Sequence, residues 1–143
     1  MAMIDGLDDA AIRKILEGTR RIAVVGASAN PARPSNEVTG FLRRAGYEVT
    51  PVNPGHAGQE IHGCAVVASL DEAAPVEMVD LFRAPDKVMP AVEAAIRLKA
   101  RVIWMQLGVV NQEAARRARE AGITVVMDRC PKIEMGRLGI RRG

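Results

Sequence analysis

The chain has 143 residues, the size of one ordinary domain and too short for a nucleotide-binding domain plus a separate substrate domain. Hydrophobic residues at 48% and charged residues at 26% exclude a disordered or fibrous chain. The 20 Lys and Arg against 17 Asp and Glu leave a net charge of +3. That excess suits an anionic ligand but lacks the dense basic stripe, or the interleaved aromatics, of a nucleic-acid surface.

No apolar run is long enough to span a bilayer, and the first residues lack the charged and apolar regions of a signal peptide. A cytoplasmic protein without membrane or nucleic-acid partners is expected. Cys64 and Cys130 have no metal-ligand spacing around them and are expected to be free thiols in a reducing compartment. No metal site is expected, since His56 and His62 lie on a glycine-rich loop without a convincing third ligand.

In chain order, Asp8 or Asp9 can cap a lead-in helix carrying Ile12, Ile15 and Leu16 on one side. The apolar, β-branched run at residues 22–25 predicts a strand buried on both faces of a parallel sheet, near its centre. Gly26-Ala27-Ser28 then makes a turn, and Ser35 is the expected cap of a helix with Val38, Phe41, Leu42 and Ala45 on its inner face. A second strand at residues 47–52 runs into Asn53-Pro54-Gly55, which forces the chain out of the sheet. The next residues, 55–71, read as irregular.

A third strand is predicted at residues 76–82, with Pro85 in the first turn of a helix bearing Val88, Val92, Ala95 and Ile96. A fourth strand follows at 101–105, with Trp104 in the core, then a turn at Gln106-Leu107-Gly108 and a helix capped by Asn111. Residues 123–127 make a fifth strand. Strands alternating with helices predict an α/β fold: a single Rossmann-like doubly wound domain with a mainly parallel five-stranded sheet flanked by helices, residues 1–19 forming an added N-terminal helix.

In such a fold ligands sit outside the carboxyl ends of the strands. Five segments gather there: Gly26-Ala27-Ser28, Asn53-Pro54, Arg83-Ala84-Pro85, Gln106-Leu107-Gly108 and Asp128-Arg129-Cys130-Pro131-Lys132. Unpaired amides after Gly26 and at the helix start favour a phosphate, Ser28 adds a hydroxyl, and Arg33 offers a forked cation to a phosphate at the rim. A dinucleotide fingerprint would place glycines where Ser28 and Pro31 stand, and an acidic residue after the second strand where the chain has Asn53. Gln106 can both donate and accept hydrogen bonds toward an amide or phosphate. Asp80, inside the third strand, is expected to pair with a basic neighbour, and Glu134 to order the C-terminal segment.

The blocks Val25-Gly26-Ala27-Ser28-Ala29-Asn30-Pro31, Gly46-Tyr47-Glu48-Val49-Thr50-Pro51-Val52-Asn53-Pro54, Gly58-Gln59-Glu60-Ile61-His62-Gly63, Asp80-Leu81-Phe82-Arg83-Ala84-Pro85, Trp104-Met105-Gln106-Leu107-Gly108 and Asp128-Arg129-Cys130-Pro131-Lys132-Ile133-Glu134 resemble the small CoA-binding proteins. Their domain also begins the succinyl-CoA synthetase alpha chain, and the resemblance covers about residues 20–139. It implies a Rossmann-like domain holding CoA or an acyl-CoA, with Gly26, Ala27 and Ser28 near the pyrophosphate and Val52, Asn53 and Pro54 near the adenosine. Phe82 and Arg83 would border the same groove. The synthetase's catalytic partner domain is missing from this chain, so ligase activity does not carry over. Two other readings stay open: an NAD(P)-dependent oxidoreductase, and an acyl-transfer enzyme using the Cys130 thiol. The reading favoured is a binding protein without a catalytic residue, its protein partner unspecified.

Overall fold

The computed structural model describes residues 4–141. Helix α1 (Asp9–Gly18) starts at Asp8, whose carboxylate accepts the Ala11 N–H at 2.8 Å. Then come β1 (Arg21–Val25), α2 (Pro34–Arg44), β2 (Glu48–Val52), a hairpin of β3 (Glu60–Ile61) and β4 (Cys64–Ala65), and the one-turn helix α3 (Leu70–Ala73). The remainder is β5 (Met78–Leu81), α4 (Met89–Arg97), β6 (Val102–Met105), α5 (Gln112–Glu120), β7 (Thr124–Val126) and α6 (Pro131–Leu138). Among the described residues no helix is long and apolar enough to cross a membrane.

The five strands predicted from the sequence form one all-parallel sheet in the order β2-β1-β5-β6-β7. Reversal of the strand order at β1 is the topological switch point of a doubly wound sheet. β1 is therefore an interior strand, as its apolar run required, but the central strand is β5. Alternate residues of each strand face opposite layers. One layer packs Ala23, Val25, Val79, Leu81, Ile103 and Met105 against α3, α4 and α5; the other packs Ile22, Val24, Met78, Val102 and Trp104 against α1, α2 and α6.

Several local expectations need correcting. Pro34, not Ser35, opens α2: Arg33 is its N-cap without a side-chain hydrogen bond, and Ser35 is buried in the first turn. A proline at this position loses no intrahelical hydrogen bond, so the helix starts there without a polar cap. Pro85 starts a separate 3-10 turn, Pro85–Lys87, and α4 begins only at Met89. The stretch read as irregular contains the β3–β4 hairpin and α3, and the C-terminal residues form α6. Asn111 does cap α5, accepting the Ala114 N–H at 2.9 Å.

Asp80 is the largest departure. Among the described residues it has no basic partner: it is 0% exposed on β5, and neither of its carboxyl oxygens finds a hydrogen bond there. Burial pushes its carboxyl well above the usual aspartate range, because the charged form has lost water and gained no counter-ion. Its raised pKa implies a contribution that is most favourable below the pKa of the unfolded chain and declines as pH rises toward the folded value. Asp80→Asn removes that titration, so unfolding free energies of variant and parent should diverge in favour of the variant by about 1 kcal/mol or more between about pH 4 and about pH 7. A difference that stays flat across urea titrations at those pH values would contradict a neutral, unpaired Asp80.

Candidate functional site

At the carboxyl ends of the strands lies a cleft of about 700 Å³, within the range of small-molecule and cofactor sites. Its wall is made by the turn after β1 (Gly26, Ala27, Ser28), the start of α2 (Arg33 to Ser35, with Glu37 and Val38), Asn53, Phe82 and Arg83, Gln106, Leu107 and Val109, and Cys130, Lys132 and Ile133 from α6 and its N-cap. Eight of the ten residues expected to touch a ligand share this wall: Gly26, Ala27, Ser28, Arg33, Asn53, Phe82, Arg83 and Gln106. Val52 and Pro54 do not. Val52 is buried in the core, and Pro54 opens an exposed 3-10 turn.

Gly26 is required by a close approach. Its φ is +85°, and a Cβ there would stand 2.2 Å from the Phe82 carbonyl oxygen, so no side chain fits between β1 and β5 at this point. The turn's donors are shifted from their expected positions. The N–H groups of Gly26 and Ala27 both point at the Val52 carbonyl, at 3.0 and 3.4 Å. Those of Ser28, Ala29 and Ser35 make no hydrogen bond to the described residues. The phosphate-type donors therefore begin at Ser28, where the turn has left the sheet and α2 is about to start.

Side chains hold this turn from below and behind. Asn53 donates its amide to the Ala27 carbonyl at 2.7 Å and accepts the Gly55 N–H at 2.9 Å. It lines the cleft but is already committed to fixing the loop. Asn36 donates to the Ser28 carbonyl at 2.9 Å, and its oxygen lies 2.8 Å from His62 Nε2. His62 in turn sits over Gly40, where a Cβ would approach the ring to 2.8 Å. Asn36 was not singled out from the sequence and His62 was weighed there only as a metal ligand, because their pairing depends on the hairpin folding back against α2.

The far side of the cleft is built differently. Gln106 is 5% exposed and its Oε1 has no hydrogen-bond partner among the described residues. Leu107 and Ile133, 55% and 53% exposed, form an apolar rim beside it. Cys130 is the N-cap of α6 and Lys132 bridges to Glu37 of α2; that contact and its positive charge hold the exposed Glu37 carboxyl below its usual range. Among the described residues the guanidinium groups of Arg33 and Arg83 make no hydrogen bond or ion pair. Arg129 points away from the cleft: it is 3% exposed and bonds Asp5 and Glu134. Trp104, as expected, is core and donates to the Arg129 carbonyl at 2.8 Å. No three His, Cys, Asp or Glu side chains of the described residues gather to hold a metal ion.

The donors at Ser28, Ala29 and Ser35, with two unpaired arginines, suit a polyanionic group. The orphaned Gln106 oxygen and the apolar rim suit a neutral amide-bearing chain. A family model described as a CoA binding domain matches residues 20–136. The uncharacterized protein YneT of Bacillus subtilis (strain 168) is 41% identical over 125 residues, 87% of this chain and 91% of YneT. A hypothetical protein from Pyrococcus horikoshii OT3 superposes with a TM-score of 0.92 at 42% identity, covering 98% of both chains. A Thermus thermophilus structure, cell-free ID.343, gives a TM-score of 0.87 at 39% identity over 92% of this chain and 99% of its own.

Gly26→Ala should cost at least about 2 kcal/mol in urea denaturation, since it adds a left-handed alanine to a backbone clash. A variant within about 0.5 kcal/mol of the parent would show that β1 and β5 are not held this closely.

Proposed function

The chain belongs to the CoA-binding domain family, and from that premise we propose that the cleft holds CoA or an acyl-CoA by recognition alone, in the cytoplasm. The observation that carries this reading is the split character of one continuous groove. Its end at β1, α2 and β5 offers free amides and the unpaired guanidinium groups of Arg33 and Arg83, whereas its β6–β7 end offers Gln106, Leu107 and Ile133. CoA has the same division, with phosphates at one end and an amide-bearing arm at the other. A dinucleotide is polar at both ends.

The residues fit such a ligand. Ser28, Ala29 and Ser35 are suited to the pyrophosphate through their backbone N–H groups, with the α2 dipole behind them. Arg33 or Arg83 answers a further phosphate, and the nucleoside lies on the Asn53 side. Gln106 accepts an N–H from the arm, which relieves the cost of leaving its buried oxygen unpaired. CoA itself supplies the capacity to carry an acyl group as a thioester; the protein supplies binding and shielding. Turnover is not proposed, because among the described residues Cys130 has no hydrogen-bonded base, the partner that would activate a nucleophile.

Titration calorimetry with CoA, dephospho-CoA and NAD should rank CoA first. Arg33→Ala should weaken CoA about tenfold, the equivalent of roughly 1.4 kcal/mol. Tighter binding of NAD than of CoA would overturn the reading.

A further inference from the structure

Cys130 is 7% exposed and lines the cleft. It follows β7, at one edge of the sheet, while the donor turn at Ser28 follows β1, three strand positions away. At about 4.8 Å per strand this is about 14 Å. The arm of CoA from its pyrophosphate to its sulfur has about thirteen bonds and reaches about 15 Å when extended, by the ~3.5 Å per three bonds of an extended chain. Gln106, whose buried Oε1 has no partner among the described residues, lines the groove between the two points. An arm laid from Ser28 past Gln106 ends at Cys130.

Resting on the CoA reading, we infer that the cleft delivers the sulfur end of its ligand to Cys130 Sγ, making this residue the site of a mixed disulfide with CoA. The oxidant is the symmetrical disulfide of CoA. The Cys130 thiolate attacks one of its sulfurs, the S–S bond breaks, a Cys130–CoA disulfide forms, and the second CoA leaves as a thiolate that takes up the proton Cys130 gave to solvent. One disulfide is consumed and one is made. The bound moiety then occupies the same groove that recognises free CoA, so the reaction is selective by position.

Cys64 serves as the internal comparison. It is 8% exposed, lies on the β3–β4 hairpin outside the cleft, and contacts the His62 carbonyl at 3.8 Å. Burial raises its thiol above the usual cysteine range, which lowers the thiolate fraction available for exchange.

The test is intact-mass analysis after incubation with CoA disulfide or, separately, with glutathione disulfide at equal concentration. Parent and Cys64→Ser should gain one CoA, at least about tenfold faster than one glutathione, and dithiothreitol should remove it. Cys130→Ser should gain none while keeping the parent's circular dichroism spectrum. Equal rates with the two disulfides, or an adduct on Cys64, would overturn the inference even where CoA binds. Failure of parent and Cys130→Ser alike to bind CoA would instead overturn the ligand reading.

Discussion

The buried guanidinium of Arg129 fixes the geometry on which the cleft depends. It binds Asp5 through Nε and Nη2 at 2.9 and 2.8 Å and Glu134 through Nη1 at 2.8 Å, and also donates to the Leu7 carbonyl. Glu134 and Asp9 share Arg137. The residues ahead of α1, the end of β7 and the first turn of α6 are thus tied at one point. For both acids burial alone would raise the carboxyl pKa, but the arginine hydrogen bonds, with backbone N–H groups at Asp5, outweigh it and hold both below the usual range. Stripping away the guanidinium would leave the buried Asp5 carboxylate without a counter-ion and Glu134 with Arg137 alone, at a cost of about 3–5 kcal/mol. Because α6 carries Lys132 and Ile133 into the cleft and Cys130 caps it, this network sets the cleft's far wall as well as the fold's stability.

The near wall is set by backbone. Gly26 lets β1 and β5 approach, Val52 receives the Gly26 and Ala27 amides, and Asn53 pins the Ala27 carbonyl. The hydrogen bonds of Val52 and Asn53, the residues expected beside a nucleoside, act on the loop. The two walls are bridged by Lys132 and Glu37. A groove held this way from both sides is largely formed before any ligand arrives, which lowers the ordering cost of binding.

The fold was legible where hydrophobic runs were long. Ile22 to Val25 and Val102 to Met105 are continuous apolar segments, and their glycine and proline boundaries mark strand ends. The hairpin was not legible because two-residue strands show no period. Helix α6 was hidden because it follows a polar run from Asp128 to Cys130 and carries few core apolar residues. The cleft's donors were legible as residue types at strand ends, which is a local property. Which amides stay free, and that Arg129 turns inward to Asp5 rather than toward a ligand, depend on contacts spanning up to 124 positions, beyond any local pattern. Asp80 defied the expectation of a partner because sequence shows neither neighbours across strands nor depth.

The central claim is the direction of the ligand across the sheet edge. A crystal structure of the protein with CoA tests it most directly. The account predicts the pyrophosphate against the amides of Ser28, Ala29 and Ser35, the amide arm over Gln106, and the sulfur beside Cys130. Nucleoside density at Cys130 with the sulfur at Asn53, or CoA bound outside this cleft, would contradict it.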